Sequence, residues 1–294
     1  MNHIVLTGAT GFLGSHLLRA FLMAGYEVTI LKRIKSDLYR ISDLIDRTSV
    51  FNVDGDSLQQ AFSGRGVDTV VHAACQYGRS GESNWEMVEN NVLFALRVVD
   101  AALEHGVSTF INTDTFLPPS VSAYALSKRQ SLDWLRQFSD RMKFLNIRIE
   151  HMYGPGDDSA KLVPWLLNQF DSNVHRIALT SGAQKRDFIY ITDVVAAFLT
   201  VLKNNKKLST NTTIEVGTGQ SLAVKDFILN LFSHYEQKFG LCKTTLGFGE
   251  APYRANEVMD IRVNPSTLNA LGWFPQVSLD SGIEQTLSRR LLRA

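Results

Sequence analysis

Short apolar runs alternate with amphipathic stretches through the first half of the chain. The runs predict strands, and the stretches between them have the residue spacing of helices. The predicted strands span residues 4–6, 27–31, 49–53, 69–72, 109–112 and 144–149, and the clearest helices between them span residues 84–105 and 122–140. This alternation predicts an α/β fold, a doubly wound parallel sheet with helices on both faces. Ligands of such sheets bind at the carboxyl ends of the strands.

The second half is less regular. Helical patterns remain at residues 160–170, 193–202 and 224–239, with short strand-like pieces and glycine-containing turns between them. We therefore expect a first domain at residues 1–153 and a smaller lobe at residues 154–294. This lobe is expected to be interleaved with the sheet and to close over a substrate.

A glycine-rich segment, TGATGFLG at residues 7–14, follows the first predicted strand and opens a helix. A strand, a glycine-rich turn and a helix in this order are typical of a dinucleotide site. Gly8 permits the tight turn, Gly11 lets the backbone approach a pyrophosphate, and Gly14 lets the helix pack close to the strand. The amino end of the helix attracts phosphates. The alternative is a turn with a purely structural role.

Composition narrows the class of protein. The 294 residues are 45% apolar and 20% charged, and the net charge of +1 gives no reason to expect a nucleic acid partner. No apolar run is long enough for a membrane span, and the first strand leaves no room for a signal peptide. Cys75 and Cys242 do not make a disulfide framework, and no cluster has metal-ligand spacing. We expect a cytoplasmic protein without a metal.

A tyrosine and a lysine, Tyr124 and Lys128, lie four residues apart in a predicted helix. This spacing places both side chains on one helix face. A nearby ammonium lowers the pKa of a phenol, which can then exchange a proton with a substrate oxygen. Thr113 and Thr115, at the end of the preceding strand, offer a hydroxyl for the same oxygen. The alternative is a surface pair with no catalytic role.

Several segments, in order along the chain, resemble the extended short-chain dehydrogenase/reductase superfamily (the NAD-dependent epimerase/dehydratase family). They are TGATGFLG at 7–14, VVHAA at 70–74, the pair Asn91-Val92, IRIEHMYGPGD at 147–157, RDFIYITDV at 186–194 and LGWFP at 271–275. The resemblance covers nearly the whole chain. It implies a Rossmann-type sheet with a substrate-binding lobe.

The resemblance also implies roles for individual residues. Tyr124 is the expected acid/base, and Lys128 tunes it and holds the nicotinamide ribose. Thr115 is the expected hydroxyl partner, with Thr113 as the alternative. Asp54 matches a position that usually contacts adenine, although a turn aspartate is equally plausible. The expected cofactor-binding residues are Gly8, Thr10, Gly11, Phe12, Leu13, Gly14, Lys32, Arg33, Asp54, Ala73, Ala74 and Asn91, together with Tyr124 and Lys128.

Lys32 and Arg33 bear on the choice of cofactor. They end the second predicted strand, which lies beside the adenosine ribose in such folds. A basic residue there accommodates a 2′-phosphate, and Arg33 can bind a phosphate with two hydrogen bonds. We therefore favour NADP, with NAD as the alternative. The two side chains can also be read as a solvated basic turn.

The residues directly after the two threonines narrow the reaction. Related dehydratases resemble one another in an Asp-Glu pair directly after the catalytic threonine, and neither Thr113 nor Thr115 is followed by one. Epimerases recycle tightly bound NAD, which the basic turn argues against. We therefore expect NADPH-dependent reduction of a C4 ketone. The segments at 75–87, 112–115 and 151 resemble the reductases that make CDP-3,6-dideoxyhexoses such as abequose and paratose, in surface-polysaccharide biosynthesis.

The same resemblance implies substrate contacts and partners. The candidate substrate-binding residues are Tyr77, Arg79, His151, Arg186 and Arg254. The two last arginines would clamp the diphosphate, or else form structural ion pairs, such as Arg186 with Asp187 or Asp193. A homodimer through the helices at 88–105 and 122–140 is expected. Its apolar stripe, which fits a sheet-facing stripe equally well, contains Leu93, Leu96, Val99, Leu103, Leu132 and Leu135.

Two competing functions remain open. One is a 4-epimerase that acts on a UDP-hexose with tightly bound NAD. The other is a protein that senses NADP without turnover, which the intact Tyr124 and Lys128 argue against.

Overall fold

The computed structural model describes residues 3–79 and 81–290, with side chains through Ser288. Its strands are β1 (His3–Thr7), β2 (Glu27–Lys32), β3 (Ser49–Asn52), β4 (Thr69–His72), β5 (Thr109–Thr115), β6 (Lys143–Ile149), β7 (His151–Tyr153), β8 (Arg176–Leu179), β9 (Lys185–Arg186), β10 (Phe188–Tyr190), β11 (Thr212–Val216), β12 (Leu222–Ala223) and β13 (Thr245–Phe248). Its α-helices are α1 (Phe12–Met23), α2 (Asn84–Val88), α3 (Phe94–Glu104), α4 (Ala123–Leu135), α5 (Leu162–Asp171), α6 (Ile191–Lys203), α7 (Val224–Phe239), α8 (Ser266–Ala270) and α9 (Leu279–Arg290).

Seven strands form one parallel sheet in the order β11-β6-β5-β4-β1-β2-β3. Successive residues of a strand face opposite sides of a sheet. In β1, Leu6 accordingly belongs to one apolar cluster with α1, α5 and α6, and Val5 to a second cluster with α3 and α4. The predicted doubly wound parallel sheet is confirmed, and its order reverses between β1 and β4, where such folds bind ligands.

All six predicted strands are present. Two elements, one strand and one helix, differ from the prediction in ways that affect the site. β5 continues to Thr115, three residues beyond its predicted end at residue 112. The helix predicted at 84–105 contains a π-helical segment at Glu89–Leu93, between α2 and α3. Such segments often occur at functional sites.

The second half of the chain contributes β11 to the edge of the main sheet. The remaining strands form three short pairs, β7 with β10, β8 with β13 and β9 with β12. A boundary at residues 153 and 154 therefore separates β11 from the other strands of its sheet. The division of the chain into 1–153 and 154–294 stays a prediction.

Two of the segments that carry the family resemblance meet in the second half. The indole Nε1 of Trp273 donates to the backbone carbonyl of Asp193 over 3.1 Å, and the amide of Val277 donates to the Asp193 carboxylate over 2.9 Å. The carboxylate of Asp187 accepts hydrogen bonds from the amides of Thr218 and Gly219. Both aspartates therefore hold loops in place.

The apolar stripe proposed for dimerisation faces mainly inward. Val99, Leu132 and Leu135 are buried in the second cluster, and Leu96 and Leu103 pack against it. Of the stripe, Leu93 is exposed, at 40% of its surface. The helical spacing thus marks the sheet-facing side of these helices.

Among the described helices, none is long and apolar enough to cross a membrane. Within the same residues, no group of three or more His, Cys, Asp or Glu side chains is arranged to hold a metal ion.

Candidate active site

The glycine-rich loop joins β1 to α1 at the carboxyl end of the sheet. The amide of Gly11 donates to the carbonyl of Gly8 over 3.0 Å, and Gly8 has a positive φ of 71°. A Cβ at Gly8 would lie 2.6 Å from the amide nitrogen of Ala74, and one at Gly14 would overlap the carbonyl of Gly8. Side chains at these two positions would therefore disrupt the turn or the packing of α1.

This loop fits the phosphates of a dinucleotide. The amino end of α1 begins at Phe12, and no side chain of the described residues caps it. Its free amides and positive dipole end are therefore available to an anion. Thr10, Phe12 and Leu13 lie in or directly after the turn, and Ala73 and Ala74 flank Gly8. The structure thus brings the predicted phosphate-binding residues together.

Three residues that were predicted to bind the cofactor lie in or beside the turn after β2, and they make different contacts there. The ammonium of Lys32 donates to Asn52 Oδ1 over 2.9 Å and to the carbonyl of Arg33 over 3.1 Å. Asp54 Oδ1 accepts from the amide of Ile34 over 2.8 Å, so Asp54 braces the turn. The exposed guanidinium of Arg33 makes no ion pair with any described residue. Arg33 is therefore the side chain available to an incoming phosphate.

Tyr124 and Lys128 lie on successive turns of α4, which Ser122 caps by accepting a hydrogen bond from the amide of Ala125 over 3.2 Å. The hydroxyl of Thr115 lies close enough to the Tyr124 phenol to lower its pKa. Thr113 instead donates to the carbonyl of His72 over 3.0 Å. The Thr113 hydroxyl is thus engaged with β4, whereas Thr115 lies beyond the paired part of β4, and its Oγ1 accepts from the amide of Leu117 over 3.2 Å. The geometry favours Thr115 as the partner of Tyr124.

Burial raises the pKa of Tyr124 well above the ordinary tyrosine value, and the electrostatic influence of Cys75 and Asp114 acts in the same direction. The charge of Arg79 and the nearby hydroxyl of Thr115 lower this pKa, but they have the smaller effect. From the sequence we expected the ammonium of Lys128 to lower the pKa of Tyr124. In the structure this pKa is raised, because burial has the largest effect. The Tyr124 phenol is therefore protonated at neutral pH and ready to donate its proton.

Asn91, in the π-helical segment, fastens the loop after β4. Its Oδ1 accepts from the amide of Gln76 over 2.7 Å. Its Nδ2 donates to the carbonyl of Gln76 and to Ser127 Oγ, each over 2.9 Å. The loop after β4 is thus tied to α4 one residue before Tyr77.

Tyr77 forms one wall of the site beside Tyr124. Their ring centroids are 4.8 Å apart. The Arg79 guanidinium lies 5.3 Å from the Tyr77 ring centroid, and the Lys161 ammonium 5.1 Å from it. Lys161 also pairs with Asp157 over 3.1 Å. The sequence analysis missed Lys161, which lies four residues after the aspartate that ends the IRIEHMYGPGD segment.

The two predicted diphosphate arginines meet at one carboxylate. The buried Arg186 guanidinium forms a short hydrogen bond with Glu257 Oε1, and Arg254 Nε donates to Glu257 Oε2 over 2.6 Å. Burial lowers the pKa of Arg186. The ion-pair partner of Arg186 is therefore neither Asp187 nor Asp193. The sequence offered one signal for Glu257, an acid three residues after Arg254.

His151 begins β7, whereas Tyr124 lies on α4. Its Nδ1 is 3.1 Å from Glu150 Oε1, and its ring packs edge-on against Phe188 with centroids 5.5 Å apart. Its side chain is 40% exposed. A substrate contact by His151 stays a prediction.

Comparison with known proteins identifies the family of the chain. Residues 4–217 match the NAD dependent epimerase/dehydratase family. The chain is 31% identical to a CDP-abequose synthase of Salmonella typhimurium, over 98% of both chains. It is 24% identical to a putative UDP-glucose 4-epimerase of Methanocaldococcus jannaschii, over 97% of both chains.

Solved structures share the fold. A UDP-glucose 4-epimerase of Thermotoga maritima superposes with a TM-score of 0.83 at 21% identity, and 99% of each chain is covered. A UDP-glucuronic acid 4-epimerase of Bacillus cereus, in complex with UDP-glucuronic acid and NAD, gives a TM-score of 0.84 at 21% identity, over 99% of this chain and all of that one. At these identities the likeness shows the fold alone. The sequence matches show an NAD(P)-dependent oxidoreductase of the extended short-chain dehydrogenase/reductase type, and the chain belongs to the NAD dependent epimerase/dehydratase family.

Proposed function

We propose that the protein reduces the C4 ketone of a nucleotide-linked deoxyhexose with NADPH. The favoured substrate is a CDP-4-keto-3,6-dideoxyhexose, in the biosynthesis of a surface-polysaccharide sugar. The observation that carries the proposal is the placement of the Thr115 hydroxyl beside the Tyr124 phenol, with Lys128 one turn further along α4. The relative of Salmonella typhimurium, a CDP-abequose synthase, supports the choice of substrate.

Each catalytic residue has a distinct task in this reaction. A bound NADPH supplies a hydride to C4. The protonated phenol of Tyr124 donates a proton to the oxygen that becomes an alkoxide, and Thr115 holds that oxygen in line. The positive charge of Lys128 stabilises the phenolate that remains. The high pKa of Tyr124 suits a proton donor.

The residues after Thr115 argue against a dehydratase. Phe116 and Leu117 occupy the two positions after Thr115, the threonine beside Tyr124. Elimination of water needs an acid and a base near the sugar, and neither of these apolar side chains can exchange a proton. A reductase needs only the proton donor that Tyr124 provides.

The free guanidinium of Arg33 supports NADP over NAD. Lys32 and Asp54 are engaged in the turn, which leaves Arg33 exposed at the end of β2. A guanidinium there can pair with a 2′-phosphate. A 4-epimerase with tightly bound NAD remains the second candidate, because a relative and several structural neighbours carry that name.

The two arginines at Glu257 support a diphosphate site. Arg254 is half exposed, whereas Arg186 is 2% exposed and anchored by Glu257. Guanidinium groups bind phosphates with two hydrogen bonds each. We assign the diphosphate to this pair, and the sugar to the space beside Tyr77 and Tyr124.

We also propose a homodimer through the outer faces of α2 to α4. Trp85, Leu93, Leu126 and Trp134 are exposed by 68%, 40%, 45% and 55%. Large apolar side chains that stay exposed can mark interaction sites. Light scattering should give a dimer for the native protein and a monomer for Trp134→Glu. Met23→Glu, at an exposed apolar residue of α1, should stay dimeric; a monomeric native protein would refute the proposal.

The reductase proposal is tested with a panel of nucleotide-linked 4-keto-deoxyhexoses. Nicotinamide absorbance is followed with NADPH and with NADH. Consumption of NADPH with a CDP-linked keto sugar supports the proposal. Tightly bound NAD in the isolated protein, with no consumption for any keto sugar, supports the epimerase.

A further inference from the structure

A row of polar side chains crosses the sheet beneath α4. Thr7, His72, Asn112 and Asn146 are paired in register on β1, β4, β5 and β6. Two residues earlier in each strand, Val5, Val70, Phe110 and Phe144 lie in the apolar cluster that includes Leu132 and Leu135 of α4. Since side chains two residues apart share a face, the polar row faces α4 as well.

A hydrogen bond joins the two residues at each end of this row. Thr7 Oγ1 and His72 Nδ1 are 3.0 Å apart, and Asn112 Nδ2 donates to Asn146 Oδ1 over 2.8 Å. Asn146 Nδ2 donates in turn to Asp114 Oδ2 over 2.9 Å. The middle of the row differs: His72 Nε2 and Asn112 Oδ1 are buried and have no hydrogen-bond partner among the described residues.

Lys128 lies on the face of α4 that carries Leu132 and Leu135, and its charge acts on His72. It is 2% exposed, and no carboxylate of the described residues pairs with it. Ser131, on the next turn of α4, has a buried hydroxyl that is likewise without a partner in the described part of the chain. A charged side chain that is largely buried needs polar partners nearby. The unpartnered atoms of the row are the neutral acceptors that α4 faces.

We propose that His72 Nε2 and Asn112 Oδ1 hold the ammonium of Lys128 through one water molecule, and so direct its charge toward the Tyr124 phenol. His72 and Asn112 are then positioning residues. This proposal rests on the proposed roles of Tyr124 and Lys128. Because the anchors are neutral, the charge of Lys128 is not cancelled as it would be by a carboxylate.

The state of His72 agrees with this arrangement. Thr7 Oγ1 accepts from the amide of Ala74 over 3.0 Å and can accept from His72 Nδ1 as well, which leaves the Nε2 lone pair free. Burial and the nearby charge of Lys128 lower the pKa of His72 to about 3. His72 therefore stays neutral. The other charged groups on this face, Asp114 and Arg148, lie 3.8 Å from one another.

The test is the titration of the Tyr124 phenol, which needs no keto sugar. Ultraviolet difference titration is performed on protein saturated with the oxidised cofactor, with Tyr124→Phe as the blank. Asn112→Leu removes an anchor, Lys128→Met removes the charge, and the double variant combines them. His3→Asn is the control, since His3 is a buried histidine at the other end of β1.

A cation near a phenol lowers its pKa, so loss of the anchor should raise the pKa of Tyr124. We expect the pKa of Tyr124 to rise by about one unit in Asn112→Leu. It should rise no further when Asn112→Leu is added to Lys128→Met, and it should not change in His3→Asn. An unchanged pKa in Asn112→Leu, or an equal effect in both backgrounds, would overturn the proposal. Asn112→Ala serves if the leucine variant does not fold. Should the shift occur without reductase activity, the proposed function fails and this inference stands.

Discussion

The guanidinium of Arg186 is buried, and its ion-pair partner is Glu257, which lies 71 residues further along the chain. The same carboxylate accepts a hydrogen bond from the more exposed Arg254. One acid thus orders two arginines on the proposed diphosphate side of the site. Because Arg186 is 2% exposed, its charge depends on this partner.

Glu257→Gln should lower stability and weaken substrate binding. The variant loses the negative charge that compensates Arg186, but its amide oxygen can still accept a hydrogen bond from the guanidinium. We therefore expect the free energy of unfolding to fall by about 2 kcal/mol. Urea denaturation measures this change. Glu250→Gln is the matched control, because the Glu250 pair with Arg176 is exposed and should contribute little. Equal losses in the two variants would contradict the structural role of Glu257.

Thr115→Val should lower kcat by roughly 100-fold, because the variant loses the hydroxyl that orients the reacting oxygen. Thr113→Val should lower stability, since its hydroxyl bonds to the His72 carbonyl, and should change kcat by only a few-fold. Steady-state kinetics with saturating NADPH compare the two. A larger loss of kcat in Thr113→Val would reverse the assignment.

Arg33→Ala should raise the KM for NADPH by about tenfold and leave that for NADH unchanged, because one charge-assisted phosphate contact is lost. Lys35→Ala removes another exposed charge from the same turn and serves as the control. Equal effects on both cofactors, or an effect only in Lys35→Ala, would show that Arg33 does not bind a 2′-phosphate.

Acidification should lower the stability of the protein, because His72 binds a proton more readily in the unfolded chain than in the folded one. The folded pKa is lowered to about 3 by burial and by Lys128, so between that value and the unfolded pKa the unfolded chain binds more protons. With an unfolded pKa near 6.5, acidification from pH 7 to pH 5 should cost about 2 kcal/mol. Asp187, whose pKa burial raises, acts in the opposite direction. Urea denaturation of the native protein and of His72→Asn at both pH values tests this, and equal losses would refute it.

The sequence predicted those features that depend on local pattern. The strand, glycine turn and helix at residues 4–23 are adjacent in the chain, and the relation of Tyr124 to Lys128 follows from helical spacing alone. The alternation of apolar runs was sufficient for the parallel sheet. In these cases the chain neighbours are also the spatial neighbours.

Other features depend on contacts between distant residues. The choice between Thr115 and Thr113 is set by how far β5 extends past β4, which the apolar pattern does not reveal. Glu257 and Lys161 reach the site through loops of the second half, and β11 joins the main sheet from there. The pKa of Tyr124 was mispredicted because burial is a property of the folded chain.

The most direct test of the reductase uses NADPH with deuterium at the transferable position and a CDP-4-keto-3,6-dideoxyhexose. The account predicts stoichiometric oxidation of the cofactor and one deuterium at C4 of the product, with loss of both in Tyr124→Phe. An unconsumed cofactor, together with a UDP-hexose epimerised at C4 without deuterium by protein that already contains NAD, would contradict it.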